Sequence, residues 1–159
     1  MNTLVVYYSR TGTTRRLARR LFQHLADPDL LRIRPRRERR YPEWLALSCL
    51  PNATVDIQPV PSDLRAYDAV FLGSPKWTLS CPPVNAFLDR VDLRGVPVGV
   101  FITYGGFDER RFARSLTKTV RERGGTIPAR LLVQRDQVRK RGHRKRIERF
   151  IDLVLSGQE

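Results

Sequence analysis

The chain of 159 residues carries thirty basic against sixteen acidic side chains, which gives a net charge of +14 and a pI near 11.1. Its apolar share of 41% argues against a wholly disordered chain, and no apolar run reaches the ~20 residues that a membrane helix requires. The two cysteines, Cys49 and Cys81, lack the spacing of metal ligands or of a disulfide framework. We therefore expect one cytoplasmic domain over residues 1–159, without a membrane span or a structural metal.

The excess of positive charge has two explanations. A pI above ~9 is typical of nucleic-acid-binding proteins. The basic residues are nevertheless spread over segments 15–20, 32–40, 110–123 and 135–149, and most of them are arginine. Such a spread also fits an arginine-rich composition that places cations on every solvated face, so both explanations stay open.

Apolar runs and helical periodicities alternate along the chain. Residues 4–8 form a continuous apolar run, which is typical of a buried parallel strand. Leu17, Leu21 and Leu25 then recur every four residues and predict the first helix. Further strands are predicted at 29–34, 69–73, 96–103 and 129–133, and further helices at 84–91, 112–120 and 147–155. Segment 35–61 is rich in Pro and Arg and is expected to hold only a short helix, around 43–50.

This alternation predicts a three-layer α/β domain with a doubly wound sheet of five parallel strands, because parallel strands need helical crossovers. Ligands of such sheets bind at the carboxyl ends of the strands, near the topological switch point. The loops to consider are therefore 9–14, 74–82 and 103–109.

The first of these loops, SRTGTT, places hydroxyls, a glycine and an arginine where a strand turns into a helix. A helix N-terminus presents unpaired N–H groups and a partial positive charge, which suit a phosphate. Helix capping by Ser or Thr would explain one or two hydroxyls. Four hydroxyls in six residues favour a phosphate cradle instead.

The other two loops carry aromatic residues. Loop GSPKWTLSCPP contains Trp77 among stiffening prolines, and loop TYGGFDE has Tyr104 and Phe107 on either side of a Gly-Gly hinge. Each aromatic by itself would more often be a packing residue. Together with the first loop, they predict a site for a phosphate attached to a flat heterocycle.

Three segments, VVYYSRTGTTRRLA, YDAVFLGSPKW and FITYGG, resemble the phosphate loop and the two flavin loops of the flavodoxin family. The resemblance implies the flavodoxin-like strand order 2-1-3-4-5 and FMN as cofactor. It implies phosphate contacts from Ser9, Arg10, Thr11, Gly12, Thr13 and Thr14. It implies contacts to the flavin or its ribityl chain from Ser74, Pro75, Lys76, Trp77, Thr103, Tyr104, Gly105, Gly106 and Phe107. Tyr41 and Trp44 are expected either to cover the flavin or to close the core.

The resemblance implies an FMN-dependent oxidoreductase that transfers electrons or a hydride. The excess of positive charge predicts a less negative second reduction potential, which suits a two-electron transfer from NAD(P)H to a quinone-type acceptor. No catalytic side chain or metal ligand is predicted, because FMN itself supplies the redox chemistry. Shuttle flavodoxins are typically acidic, and this chain is basic, so a non-catalytic carrier for an acidic redox partner is one alternative.

A basic nucleic-acid-binding module on the same fold is the other alternative. Its best candidate segment is the tail VRKRGHRKRIERF, which contains Arg139, Lys140, Arg141, Arg144, Lys145 and Arg146. A solvated helix face opposite Ile147 and Phe150 explains this tail without a nucleic-acid partner.

Overall fold

A computed structural model of the protein describes residues 1–140 and 142–157. Five strands form one all-parallel sheet in the order β2-β1-β3-β4-β5. The strands are β1 (Thr3–Tyr7), β2 (Asp29–Arg32), β3 (Ala69–Pro75), β4 (Pro97–Tyr104) and β5 (Thr126–Gln134). The predicted doubly wound sheet and its strand order are confirmed.

Helices cover both faces of the sheet. They are α1 (Thr13–His24), α2 (Tyr41–Ser48), α3 (Pro82–Arg90), α4 (Glu109–Glu122), α5 (Arg135–Val138) and α6 (Arg144–Ser156). Successive side chains of a strand point to opposite faces, so Val6 packs with α3 and α4, whereas Val5 packs with α1 and α6. The central strands are therefore buried on both faces and mostly apolar, as predicted for β1.

Close packing of α6 on the sheet depends on Gly99 in β4. A Cβ atom at this position would lie 2.5 Å from Cγ2 of Val154 and 2.8 Å from Cζ of Phe150. Both distances are shorter than real Cβ contacts, so a side chain here would displace the side chains of Val154 and Phe150 and disturb the packing of α6 on β4.

The predicted elements differ from the observed ones mainly at their ends. Strand β3 continues to Pro75, so the second loop begins later than predicted. Helix α5 was not predicted, because a helix of four residues with a single buried apolar side chain, Val138, has no readable period. No helix in the part of the chain that the structure describes is long and apolar enough to cross a membrane.

The basic tail largely forms the start of α6. Ile147 and Phe150 are buried, and the neighbouring cations are exposed: Arg139, Lys140, Arg144, Lys145 and Arg146. Arg141, which the sequence pattern adds to this cluster, lies outside the described residues. The tail thus has the solvated helix face expected from its apolar spacing, and nucleic-acid binding stays an untested alternative.

Candidate functional site

A cavity of about 170 Å³ lies at the carboxyl edge of the sheet, where β1, β3 and β4 end. It brings residues of all three predicted loops together with one residue from α2 and one from α5. Its lining consists of Ser9, Arg10, Thr11, Thr13, Thr14, Tyr41, Pro75, Lys76, Trp77, Thr103 and Arg135.

The first loop turns into α1 at Gly12, whose φ of +98° favours glycine. The Gly12 N–H donates to Ser9 Oγ at 3.1 Å, and its carbonyl accepts the N–H of Arg16 at 2.9 Å. The N–H groups of Thr13, Thr14 and Arg15 precede this first helical bond and have no acceptor within the helix. They provide the positive end of α1 beside the hydroxyls of the cavity.

Gly12 itself does not line this cavity. A Cβ atom there would meet no heavy atom within 4 Å. Glycine is therefore favoured by the backbone angle, and not by a lack of space.

The loop is fixed to the sheet by a buried hydrogen bond between the hydroxyls of Thr14 and Thr103, whose oxygens lie 2.8 Å apart. Thr14 is the second residue of α1, and Thr103 lies near the end of β4. A hydroxyl has one donor and two acceptor positions, so both groups keep bonding capacity for a ligand.

The ionisable lining of the cavity favours an anion. Arg10, Lys76 and Arg135 contribute cations, and among the described residues no carboxylate lines the cavity. The guanidinium carbon of Arg10 lies 5.1 Å from the ring centroid of Tyr41, which places this cation over an aromatic face of α2.

Two aromatic rings, those of Trp44 and Tyr8, pack against Trp77 of the second loop. Trp77 stacks on Trp44 with 5.4 Å between ring centroids and meets Tyr8 edge-on at 5.6 Å. Trp44 is fully buried and closes the core, whereas Tyr41 is 38% exposed and lines the cavity. Burial, as the largest cause, raises the pKa of Tyr8 well above its ordinary value. The contacts with Trp44 and Tyr8 position the half-buried Trp77 at the cavity wall.

The remaining predicted flavin contacts lie outside the cavity lining. Ser74 is buried, donates from its hydroxyl to the Pro75 carbonyl at 2.9 Å, and lines a second small cavity with Cys81. Tyr104 lines a groove beside β5. Gly105, Gly106 and Phe107 form an exposed loop. Phe107 is 80% exposed, and its ring centroid lies 5.7 Å from Lys76 Nζ, so the second and third loops touch.

Sequence reasoning missed Arg135, and left the position of Tyr41 open. Arg135 is the first residue of α5 and directly follows β5. The rule that parallel strands end at one edge, applied to the fifth strand as well, would have indicated it.

The donor set fits a phosphate-bearing ligand. Hydroxyls from Ser9 to Thr14, the free N–H groups of α1 and three cations surround one space from which carboxylates of the described residues are absent. The half-buried indole of Trp77 offers a flat apolar surface in the same lining.

No family model matches the chain. It is 34% identical over 136 residues to an uncharacterised protein of Archaeoglobus fulgidus, and this alignment covers 84% of this chain and 86% of the other. A predicted flavoprotein from Bacteroides eggerthii is 26% identical, with a TM-score of 0.77 and coverage of 96% of this chain and 97% of that one.

Two further solved structures share the fold. A flavoprotein in complex with FMN from Lactobacillus acidophilus has a TM-score of 0.67 and 17% identity, over 82% of this chain and 92% of its own. Oxidised flavodoxin 2 from Bacillus cereus has a TM-score of 0.64 and 18% identity, over 99% of this chain and 97% of its own.

Proposed function

Because this chain belongs to the flavodoxin-like flavoprotein family, we propose that it binds FMN at the carboxyl edge of its sheet and transfers electrons through it. The observation that carries the proposal is one cavity shared by the hydroxyl-rich loop at the start of α1 and by Pro75, Lys76 and Trp77. When bound, FMN accepts two electrons as a hydride or in single steps and passes them to an acceptor.

The residues of the cavity divide into two groups. Hydroxyls of the first loop and the N–H groups of α1 hold the phosphate, and Arg10 adds a full positive charge. Pro75, Lys76, Trp77 and Tyr41 line the same cavity and would hold the flavin ring. The side chains of this chain bind, orient and shield the cofactor, and none of them is required as a general acid or base.

We further propose that the donor is NAD(P)H and that the acceptor is a small quinone-type molecule. The cations at the cavity support this reaction, because they stabilise a reduced flavin that carries negative charge. A cytoplasmic location is part of the proposal, since Cys49 and Cys81 are both free thiols.

A non-catalytic electron carrier is the second candidate. The charge of +14 favours it, because a basic surface accelerates association with an acidic redox partner. The two candidates differ in one assay. The oxidoreductase oxidises NAD(P)H with a quinone as the only acceptor, and the carrier does so only when its protein partner is added.

Cofactor binding is tested by the visible absorption spectrum of the protein supplied with FMN and freed of excess. We expect a flavin band shifted from that of free FMN, and its loss in the double variant Thr11→Ala, Thr13→Ala. The matched control is Thr54→Ala, Thr126→Ala, which removes two hydroxyls outside the cavity lining. Equal FMN binding by all three proteins, or none by the wild type, would overturn the proposal.

A further inference from the structure

A groove of about 550 Å³ runs along β5, the edge strand of the sheet. Helix α4 borders it on one side and α6 on the other. Tyr104 and Leu132 are part of its lining, and its most frequent side chain is arginine: Arg110, Arg114, Arg130 and Arg146. We call this feature the arginine groove.

The arginines of this groove come from three elements. Arg110 and Arg114 belong to α4, Arg130 to β5 and Arg146 to α6. A solvated helix face would explain exposed cations on one element. In this groove, two helices and one strand together contribute four arginines to one concave lining.

Arg146 is held in place by the sheet edge. Its Nη2 donates to the carbonyl oxygen of Leu132 in β5 at 2.7 Å. The guanidinium group is therefore anchored to the backbone of the edge strand. Its Nη1 also lies 3.5 Å from Nδ1 of His143. The side chain has five N–H donors in all, so it keeps donors for a ligand of the groove that it lines.

The other three guanidinium groups have no counter-ion in the part of the chain that the structure describes. Within residues 1–140 and 142–157, no carboxylate oxygen lies within 4.0 Å of Arg110, Arg114 or Arg130. Glu109 lines the groove as well, but it lies in the first turn of α4, where the helix dipole already favours its charge. The groove therefore has an excess of positive charge that an anionic ligand would neutralise.

The arginine groove adjoins the proposed cofactor site. Thr103 lines the FMN cavity, and Tyr104, the next residue and the last of β4, lines the groove. An elongated ligand in the groove would thus end beside the third loop, which the sequence predicts to contact the flavin.

We infer that the arginine groove binds the phosphate groups of the pyridine dinucleotide that reduces the flavin. This inference rests on the proposed function and names its donor site. Guanidinium forks match phosphate oxygens in bidentate geometry, and the volume lies within the range of small-molecule sites. A folded acidic protein would instead need a broad surface of roughly 800 Å².

The test is calorimetric titration of the FMN-supplemented protein with NADP⁺, which binds without turnover. The groove variant is Arg114→Gln, Arg130→Gln. The control is Arg19→Gln, Arg149→Gln, which removes the same charge at exposed positions outside the groove. We expect the dissociation constant to rise by about tenfold or more in the groove variant and to stay near that of the wild type in the control.

Several results would overturn the inference. The first is that the wild type does not bind NADP⁺ at low salt. The second is that the groove variant and the control lose affinity equally. The third is that inorganic pyrophosphate or duplex DNA binds as tightly as NADP⁺. Arg114→Lys, Arg130→Lys provides a second variant, with the charge kept and the fork removed, and we expect it to bind NADP⁺ with intermediate affinity.

A second readout, FMN binding, distinguishes failure of the proposed function from failure of the arginine groove. The flavin band is recorded for the same samples, and we expect the groove variant to retain FMN like the wild type. Loss of FMN by every sample contradicts the cofactor proposal, whereas normal FMN binding with unchanged NADP⁺ affinity contradicts the arginine groove alone.

Discussion

The hydroxyl of Thr14 lies 2.8 Å from that of Thr103, so a buried hydrogen bond joins the first turn of α1 to the end of β4. The two residues are 89 positions apart in the chain. This bond fixes the first loop against β4, the strand that leads into the third loop. It makes the stability of the fold and the shape of the cavity depend on the same pair of side chains.

We expect Thr14→Val to destabilise the protein by about 1–3 kcal/mol, because the Thr103 hydroxyl is left buried without its partner. Thr103→Val should have a similar effect, and the double variant should cost less than the sum of the two. Urea unfolding of the wild type, the two single variants and the double variant forms a double-mutant cycle. The cycle gives the coupling free energy between the two hydroxyls. Strict additivity would show that the two hydroxyls do not interact.

Gly12→Ala should destabilise the protein by roughly 1–2 kcal/mol and weaken FMN binding, because alanine is strained at a φ of +98°. Gly95→Ala is the matched control: its φ is +76°, and its Cβ would also meet no atom within 4 Å. Both variants should lose stability in thermal unfolding, and only Gly12→Ala should lose FMN affinity. Unchanged FMN affinity in Gly12→Ala would contradict the assignment of the phosphate loop.

Thiol titration of the native protein should detect one fast-reacting cysteine. Cys49 is exposed, whereas Cys81 is buried, and burial raises the pKa of the Cys81 thiol to about 12. Because the thiolate is the reactive form, Cys81 should react only after unfolding. Cys49→Ala should abolish the fast phase, and rapid labelling of Cys81 at neutral pH would contradict its burial.

The same thiol should lower stability at alkaline pH. In the unfolded chain Cys81 loses its proton near its ordinary pKa of 9.0, but the folded protein keeps it until about 12. The unfolded state therefore binds fewer protons between these values, and the free energy of unfolding falls as pH rises. At pH ~10.5 this loss amounts to about 2 kcal/mol.

The contribution of Cys81 is measured against Cys81→Ala by urea unfolding at several pH values. Burial is the largest cause of the raised pKa of Tyr8, to which Cys81 also contributes, and it keeps Tyr8 protonated in the folded state of both proteins over this range. The difference between their pH profiles therefore reports the thiol. The variant should lose less stability than the wild type above pH ~9. Parallel profiles would show that Cys81 does not ionise differently in the two states.

Lys76→Gln should make the potential of the second reduction step of the bound flavin more negative. A cation ~4 Å from the developing charge is worth about 4 kcal/mol at an effective dielectric constant of ~20, before screening. Redox titration followed by absorbance measures the shift, with exposed Lys118→Gln on α4 as the control. We also expect the second potential of the wild type to be less negative than that of acidic shuttle flavodoxins, and a strongly negative value would contradict this.

The sequence by itself determined the architecture and singled out the hydroxyl-rich loop before α1. Continuous apolar runs such as that of β1 are typical of strands buried on both faces, and the period of Leu17 and Leu21 marks the helix that follows. The hydroxyls from Ser9 to Thr14 lie next to each other in the chain, so their pattern was readable without a structure. These features are local, and local features are what a linear pattern records.

The tertiary structure decided which distant residues meet. Arg135 reaches the cavity only because β5 ends at the same edge as β1, and α5 is too short to have a detectable period. Trp44 and Tyr41 lie in one helix, yet one closes the core and the other lines the cavity. The arginine groove arises from α4, β5 and α6 together, because only the packing of helices around an edge strand brings their side chains into one space.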